Sequence, residues 1–255
     1  MKSILHGLGR GDVVREPFPH VVVDGALEEE VYSLLAGTFP SAEAIVDGRP
    51  VENNTPYRMP AARLLDDPRV AACWKDFVRS HTSAAFFREV LAVFGEALRE
   101  LHPSLSLEGA RTSIRDAEPF ADVALDCQPC WGAPVTQVSS SDPCHVDRPV
   151  TLFAGLLYCR LPGDDAAGGD LELYRFRGAE RRYDATRHVD LALVEPVRRI
   201  PYAANRLVFF LQSAHSLHGV TERGVTTWPR LHVNFLGEMQ RNVFELAPSA
   251  AVEAA

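Results

Sequence analysis

The sequence predicts an all-β core, a β-sandwich or jelly-roll barrel, behind a layer of N-terminal helices (α+β overall). From about Leu105 to residue 238, short apolar or β-branched runs are separated by polar turns, a rhythm that favours sheet packed on sheet over alternating βαβ units. Val150 to Cys159, VTLFAGLLYC, is almost entirely apolar, as a strand covered on both sides requires. The first hundred residues space their apolar side chains for helices instead.

Glu16 to Asp24, EPFPHVVVD, reads as a strand with prolines at its start. Ala26 to Leu35 follows as a helix, with Leu27, Val31, Leu34 and Leu35 at helical spacing and Glu28, Glu29 and Glu30 near its positive end. Residues 41–60 hold three prolines and two asparagines and read as loop. Asp66 to Val78 is expected to form one helix starting near Pro68. Ser83 to Leu101 carries the strongest helical signal, with Phe86, Val90, Leu91, Phe94, Leu98 and Leu101 on one side and Pro103 beyond its end. Strands are then expected over 111–115, 123–125, 134–138, 150–159, 170–176, 191–201, 207–211, 215–220 and 231–236. The tail PSAAVEAA reads as frayed or weakly helical. These elements suggest one domain over 1–255, with a helical part at about 25–103 and a jelly-roll core at about 105–238.

With 46% hydrophobic and 24% charged residues, the 255-residue chain has the composition of a globular protein with room for one substantial core. A net charge of -8 argues against a general electrostatic grip on nucleic acid or an anionic membrane. No apolar run has the length of a signal peptide core or a membrane span, so a cytoplasmic location is expected. The five cysteines are an odd, irregular set and read as reduced thiols. Cys127-x-x-Cys130 reads as two ordinary thiols rather than half of a zinc site, because no second such pair follows.

The chemistry is concentrated between His145 and Arg230. In His145-Val146-Asp147 one intervening residue puts an imidazole and a carboxylate on the same face of an extended segment. A second imidazole from another strand would complete a two-His, one-carboxylate face, which suits ferrous iron and leaves positions open for a co-substrate and dioxygen. His215 and His218 are the candidates; three residues apart, they face opposite ways on a strand, so one points inward. Arg111 and Arg115 lie on a short strand from which either could clamp a substrate carboxylate, or could simply pair with a surface carboxylate. Trp131 suits stacking against substrate or filling the barrel mouth. Gln137 is a further substrate contact candidate, and His232 and Asn234 share the parity of Arg230 and so can line the same pocket. Residues 41–60 and 177–188 are candidate lids.

In their order and spacing, His145-x-Asp147, Gly168-Gly169-Asp170-Leu171, the run NRLVFFLQSAHSLHGV and the downstream Arg230 resemble the iron(II)- and 2-oxoglutarate-dependent oxygenases, in particular the prolyl-hydroxylase-like branch. The opening PFPHVVVD, the helix after it and Phe39-Pro40 are similar to the start of many bacterial members. The resemblance covers roughly residues 17–40 and 130–237. It implies a double-stranded β-helix, with His145, Asp147 and His218 as metal ligands; His218 is favoured over His215 by the Gly-Val that follows it. It also implies Arg230 as the clamp for the distal carboxylate of 2-oxoglutarate, with a hydroxyl from Tyr158 or Thr151 assisting. The implied cofactors are Fe(II), 2-oxoglutarate and O2. The implied reaction is hydroxylation of an unactivated carbon of an amino acid, a small metabolite or a carrier-held residue, with release of succinate and CO2. Desaturation or cyclisation by the same apparatus is the alternative enzyme reading, and a cupin-like metal-binding protein without turnover is the non-enzymatic one.

Overall fold

The computed structural model describes residues 2–246; the expected tail at 248–255 lies outside the described residues. Its larger sheet has the order β1 (His20–Asp24), β8 (Arg206–Leu211), β5 (Thr151–Tyr158), β10 (Arg230–Met239), β4 (Val123–Gly132), β2 (Pro56–Arg58), with β3 (Thr112–Ile114) parallel to β4. The smaller sheet has the order β7 (Val194–Ile200), β6 (Leu171–Phe176), β9 (His218–Val220), all antiparallel. A bridge between His145 and His218 adds the ribbon around residues 143–147 to the free side of β9. Four strands of the larger sheet therefore face four extended segments of the smaller, and the fold is a double-stranded β-helix. Ala154, Tyr158, Val208 and Phe210 from one sheet share a buried cluster with Leu171, Leu173, Ile200 and Tyr202.

The outer face of the larger sheet is covered by helices α1 (Glu29–Gly37), α2 (Ala42–Val46), α3 (Ala61–Asp66), α4 (Ala72–His81) and α5 (Ala84–Leu101). Trp74, Phe77, Phe86 and Phe94 from α4 and α5 join Phe153, Phe209, Val233 and Phe235 from the strands in one core. Helix α5 begins where Ser83 Oγ accepts the Phe86 N–H at 3.2 Å, an N-cap that satisfies a donor left free by the first turn.

Three expectations change. The helix expected over 66–78 runs instead from Ala72 to His81, and the separate α3 stops at Asp66 because Asp67 precedes Pro68 and is held extended at φ -74°, ψ 118°. Residues 41–60 are not all loop: Ser41 caps the short α2, and Pro56–Arg58 adds β2 to the sheet edge. Strand β4 runs on through Cys130 to Gly132, whereas 134–138 contributes only an isolated bridge from Val135 to Thr226. Polar Asp126 and Gln128 disguise β4 in the sequence, since they point into the barrel rather than into an apolar layer.

Candidate active site

His145 and His218 exchange both backbone hydrogen bonds, His145 N–H to His218 O at 2.8 Å and His218 N–H to His145 O at 3.0 Å. Directly opposed residues of this kind project their side chains to the same face. Their ring centroids are 4.4 Å apart. Gly219 makes the approach possible: a Cβ there would meet the Cys144 nitrogen and the Pro143 carbonyl carbon at 2.8 Å. The Gly after the distal histidine is thus a steric requirement of pairing the two metal-binding segments.

Asp147, two residues beyond His145, turns to the same face. Its carboxylate is 3.8 Å from His145 Nε2 and 3.9 Å from His218 Nε2, and one ligand atom from each of the three lies within 4.8 Å of the others. Each ring has its other nitrogen engaged: His145 Nδ1 donates to Pro143 O and His218 Nδ1 donates to Ser216 O, both at 2.8 Å. This fixes the tautomer and leaves both Nε2 lone pairs aimed at the space between the three side chains. Burial, then the neighbouring His145, lowers the pKa of His218 against a partial offset from Asp147, which keeps the ring neutral as a ligand must be. Asp142, His145 and His188 form a second group with ligand atoms in range. Asp142 meets His145 at Nδ1, 3.3 Å away, where the Pro143 carbonyl already sits. The first triad is therefore the one with free lone pairs.

The triad opens into a cavity that Arg230 also lines. Arg230 is 5% exposed. Its Nε donates to Gly169 O at 3.1 Å, and Nη1 lies 3.4 Å from Nδ1 of His232. Burial, with Arg230 and Arg58 nearby, pushes the His232 pKa well below the usual value, so the neutral ring can accept from the guanidinium. Tyr158 and Tyr202 flank Arg230 with ring centroids 5.1 and 4.9 Å away. The Tyr202 hydroxyl is committed to the Leu231 backbone, but Arg230 Nη2 and the Tyr158 hydroxyl are buried without a partner among the described residues. A buried cation with free donors is costly unless an anion meets it. The residues present therefore fit both groups, a metal ion at the triad and a dicarboxylate reaching from it to Arg230.

Of the remaining expected residues, Asn234 lines this cavity, and Arg115 lines its outer vestibule while paired with Glu238 at 3.0 Å and Asp126 at 3.6 Å. Thr151 is placed away from the Arg230 end. It pairs with Glu238, eight residues along β10 from Arg230, which at about 3.3 Å per residue is roughly 25 Å. Tyr158 alone of the two hydroxyls adjoins the guanidinium. Arg111 is an exposed partner of Asp122 outside the cavity. Trp131 lies on the outer face of β4 against Tyr57, and Gln137 is exposed in a loop that only its backbone holds, through Asn53. His215 packs beside Phe176, away from the triad.

Sequence reasoning missed Gln212, which is fully buried and donates through Nε2 to Asp147 Oδ2. It shares the parity of the inward Val208 and Phe210, and extending β8 by that alternation would have found it. Arg58 and Arg187 were also missed; they sit in segments identified only as candidate lids.

A double-stranded β-helix with a buried two-His, one-carboxylate triad and a carboxylate-seeking arginine at the far end of the same cavity defines the active site of an iron(II)- and 2-oxoglutarate-dependent dioxygenase. The sequence matches no protein-family profile and no curated protein. Among solved structures it is similar to a prolyl-4-hydroxylase of Pseudomonas putida, at 14% identity over 87% of this chain and 93% of that one, TM-score 0.47. It is similar also to prolyl 4-hydroxylases of Phytophthora capsici, at 18% identity over 87% of this chain and 59% of that one, TM-score 0.48. A third is SnoN, an α-ketoglutarate-dependent epimerase from nogalamycin biosynthesis, at 13% identity over 86% of this chain and 76% of that one, TM-score 0.46. Likenesses of this size decide neither substrate nor reaction, and the assignment rests on the geometry of the site.

Proposed function

We propose that this protein hydroxylates an unactivated carbon of a small metabolite, consuming 2-oxoglutarate and dioxygen and releasing succinate and CO2. The observation that carries the reading is the single cavity bounded by the triad at one end and the unpartnered Arg230 Nη2 at the other. Bound iron and 2-oxoglutarate supply the oxidising chemistry. His145, Asp147 and His218 would hold the metal, with Asp147 supplying the negatively charged ligand. Arg230 takes the distal carboxylate, with the Tyr158 hydroxyl as a further donor. Leu156, Leu171 and Phe210 line the space between and exclude water from it. The open side, toward Asn234 and the vestibule, is where the substrate carbon must be presented.

Anaerobic titration with Fe(II) and 2-oxoglutarate tests this directly. The weak visible charge-transfer band of the chelate should form in the parent and be lost in His145→Ala, and Arg230→Ala should need far more 2-oxoglutarate for the same signal. Unchanged titrations in both variants would refute the reading. Under air, substrate-dependent succinate release separates an oxygenase from a cupin-like binding protein, and label from 18O2 in the organic product separates hydroxylation from desaturation or cyclisation.

A further inference from the structure

The vestibule outside the triad has a charge pattern that the metal and the co-substrate do not account for. Four arginines reach it: Arg58, Arg115, Arg148 and Arg187. Two are already neutralised, Arg115 by Glu238 and Asp126 and Arg148 by Glu238 at 3.8 Å. Among the described residues neither Arg58 nor Arg187 comes within 4 Å of a carboxylate. Of the remaining acids there, Asp147 belongs to the triad and Asp142 faces the histidines His145 and His188.

Both free arginines are placed by the fold. Arg58 pairs with Cys130, which pairs with His232; residues in register across a sheet point to one face, so Arg58 shares the inward face of the cavity. Arg187 is pinned beside the triad, where its carbonyl accepts the Val146 N–H at 3.2 Å. Its backbone is left-handed at φ +73°, and the other four non-glycine residues in that region are all Asn or Asp. An arginine is strained there without the local side-chain hydrogen bonds that make the conformation tolerable for Asn and Asp. Its Nε is also buried with no partner among the described residues. A third unsatisfied group adjoins them. Gln128, 3% exposed, donates through Nε2 to Asp126 Oδ2 at 2.6 Å, which fixes the amide orientation and leaves its buried Oε1 as an acceptor with no donor.

We infer that the vestibule is the substrate-recognition site, and that the substrate is a small anion whose carboxylate or phosphate bridges Arg58 and Arg187 while an N–H or O–H donates to Gln128 Oε1. Two guanidinia lining one vestibule give it the positive charge and the donors that an oxyanion needs. The inference rests on the oxygenase reading above and adds the substrate class to it. Arg111, exposed and paired with Asp122, takes no part.

The test is calorimetric titration of the anaerobic, Fe(II)- and 2-oxoglutarate-loaded protein with matched probes: L-amino acids against their amides, and monosaccharide phosphates against the free sugars. Anionic members should bind and their neutral partners should bind about 10- to 100-fold more weakly, the range expected for loss of hydrogen bonds to a charged group. Which anionic series binds more tightly identifies the carboxylate or the phosphate. Arg58→Gln and Arg187→Gln should abolish the preference while the charge-transfer band persists. Arg187→Gly should weaken anion binding yet leave Tm unchanged or higher, because glycine relieves the strained backbone; a merely structural Arg187 would lower Tm. Neutral probes binding as tightly as anions, or no anion binding at millimolar concentration, overturns the inference. If the charge-transfer band itself fails to form, the oxygenase reading has failed instead.

Discussion

The two faces of the larger sheet are built from the same strands and have little chemistry in common. Along β10, Leu231, Val233 and Phe235 point outward into the helices, while Arg230, His232 and Asn234 point into the barrel. Along β4, Leu125 and Cys127 face the helices, and Asp126 and Gln128 face inward, toward the vestibule. Strand alternation separates a stability face from a reactivity face at single-residue spacing. On the outward side, among the described residues, one hydroxyl, that of Tyr32 on α1, is buried without a partner. On the inward side Arg230 Nη2, Tyr158 Oη, Gln128 Oε1 and Gln212 Oε1 lack a partner among the described residues. Four unsatisfied polar atoms gathered inside the barrel are what a site that receives polar ligands should have.

That contrast is broken most severely if a change inside the barrel unfolds the protein. Asp147→Ala should lower turnover by about 10⁴-fold, about 5 kcal/mol of transition-state stabilisation, and abolish iron binding, with little change in Tm in the metal-free protein. Atomic absorption after gel filtration and a thermal melt measure the two quantities on one sample. A collapse of Tm would mean that the inward face also carries stability.

On the outward side, Phe235→Ala should do the reverse. The ring is fully buried, with centroids 5.3 Å from His81 and 6.1 Å from Phe77, and its removal should cost about 3–5 kcal/mol. Urea unfolding reads the loss as a lowered midpoint. The charge-transfer band of whatever fraction remains folded should be unaltered.

His81 sharpens the comparison by pH. It is wholly buried on the helical side, accepts Ile4 N–H at 3.1 Å through Nε2 and donates from Nδ1 to Phe77 O at 2.8 Å. Burial lowers its pKa to about 4, against about 6.5 unfolded. Between those values the unfolded chain binds the extra proton, so stability rises with pH. The contribution is complete above about pH 6.5 and is lost as pH falls to about 4, in total about 3 kcal/mol. Urea midpoints across this window should fall in the parent and show a shallower slope in His81→Gln.

The two faces were unequally legible in the sequence. Outward residues declare themselves by apolar periodicity, which located α5 through Phe86, Val90, Phe94 and Leu98 and located β5 through its unbroken apolar run. The triad was legible for a different reason. The chemistry fixes residue type, and the close approach at Gly219 fixes its neighbour. Gly168 behaves alike, because a Cβ there would lie 1.8 Å from Glu222 O. What stayed hidden were inward residues set by tertiary placement alone. Arg58 and Arg187 look like any surface arginine until β2 joins the sheet edge and Val146 fixes the 187 backbone. Arg111, by contrast, reads equally as a clamp or as a surface ion-pair partner, and its place beside Asp122 decides for the second.

Gln212 carries the smallest and most discriminating effect, because it reaches the triad without touching the metal. Its amide donates to Asp147 Oδ2, while its backbone is held by Leu152 O at 2.9 Å and by His102 Nε2 at 2.9 Å. That scaffolding comes from outside the cavity, so the side chain can hold the carboxylate in the rotamer that faces both imidazoles. Its replacement by Ala should free Asp147 to turn toward the vestibule and weaken Fe(II) binding by about 10- to 100-fold, the range for partners of metal ligands. The backbone bonds do not depend on the side chain, so Tm should barely move. Competition with a metal-sensitive dye measures the affinity. If Fe(II) binding is unchanged in Gln212→Ala, the ligands are held by the backbone pairing of His145 with His218 alone, and the inward face orders its site without help from the strand beside it.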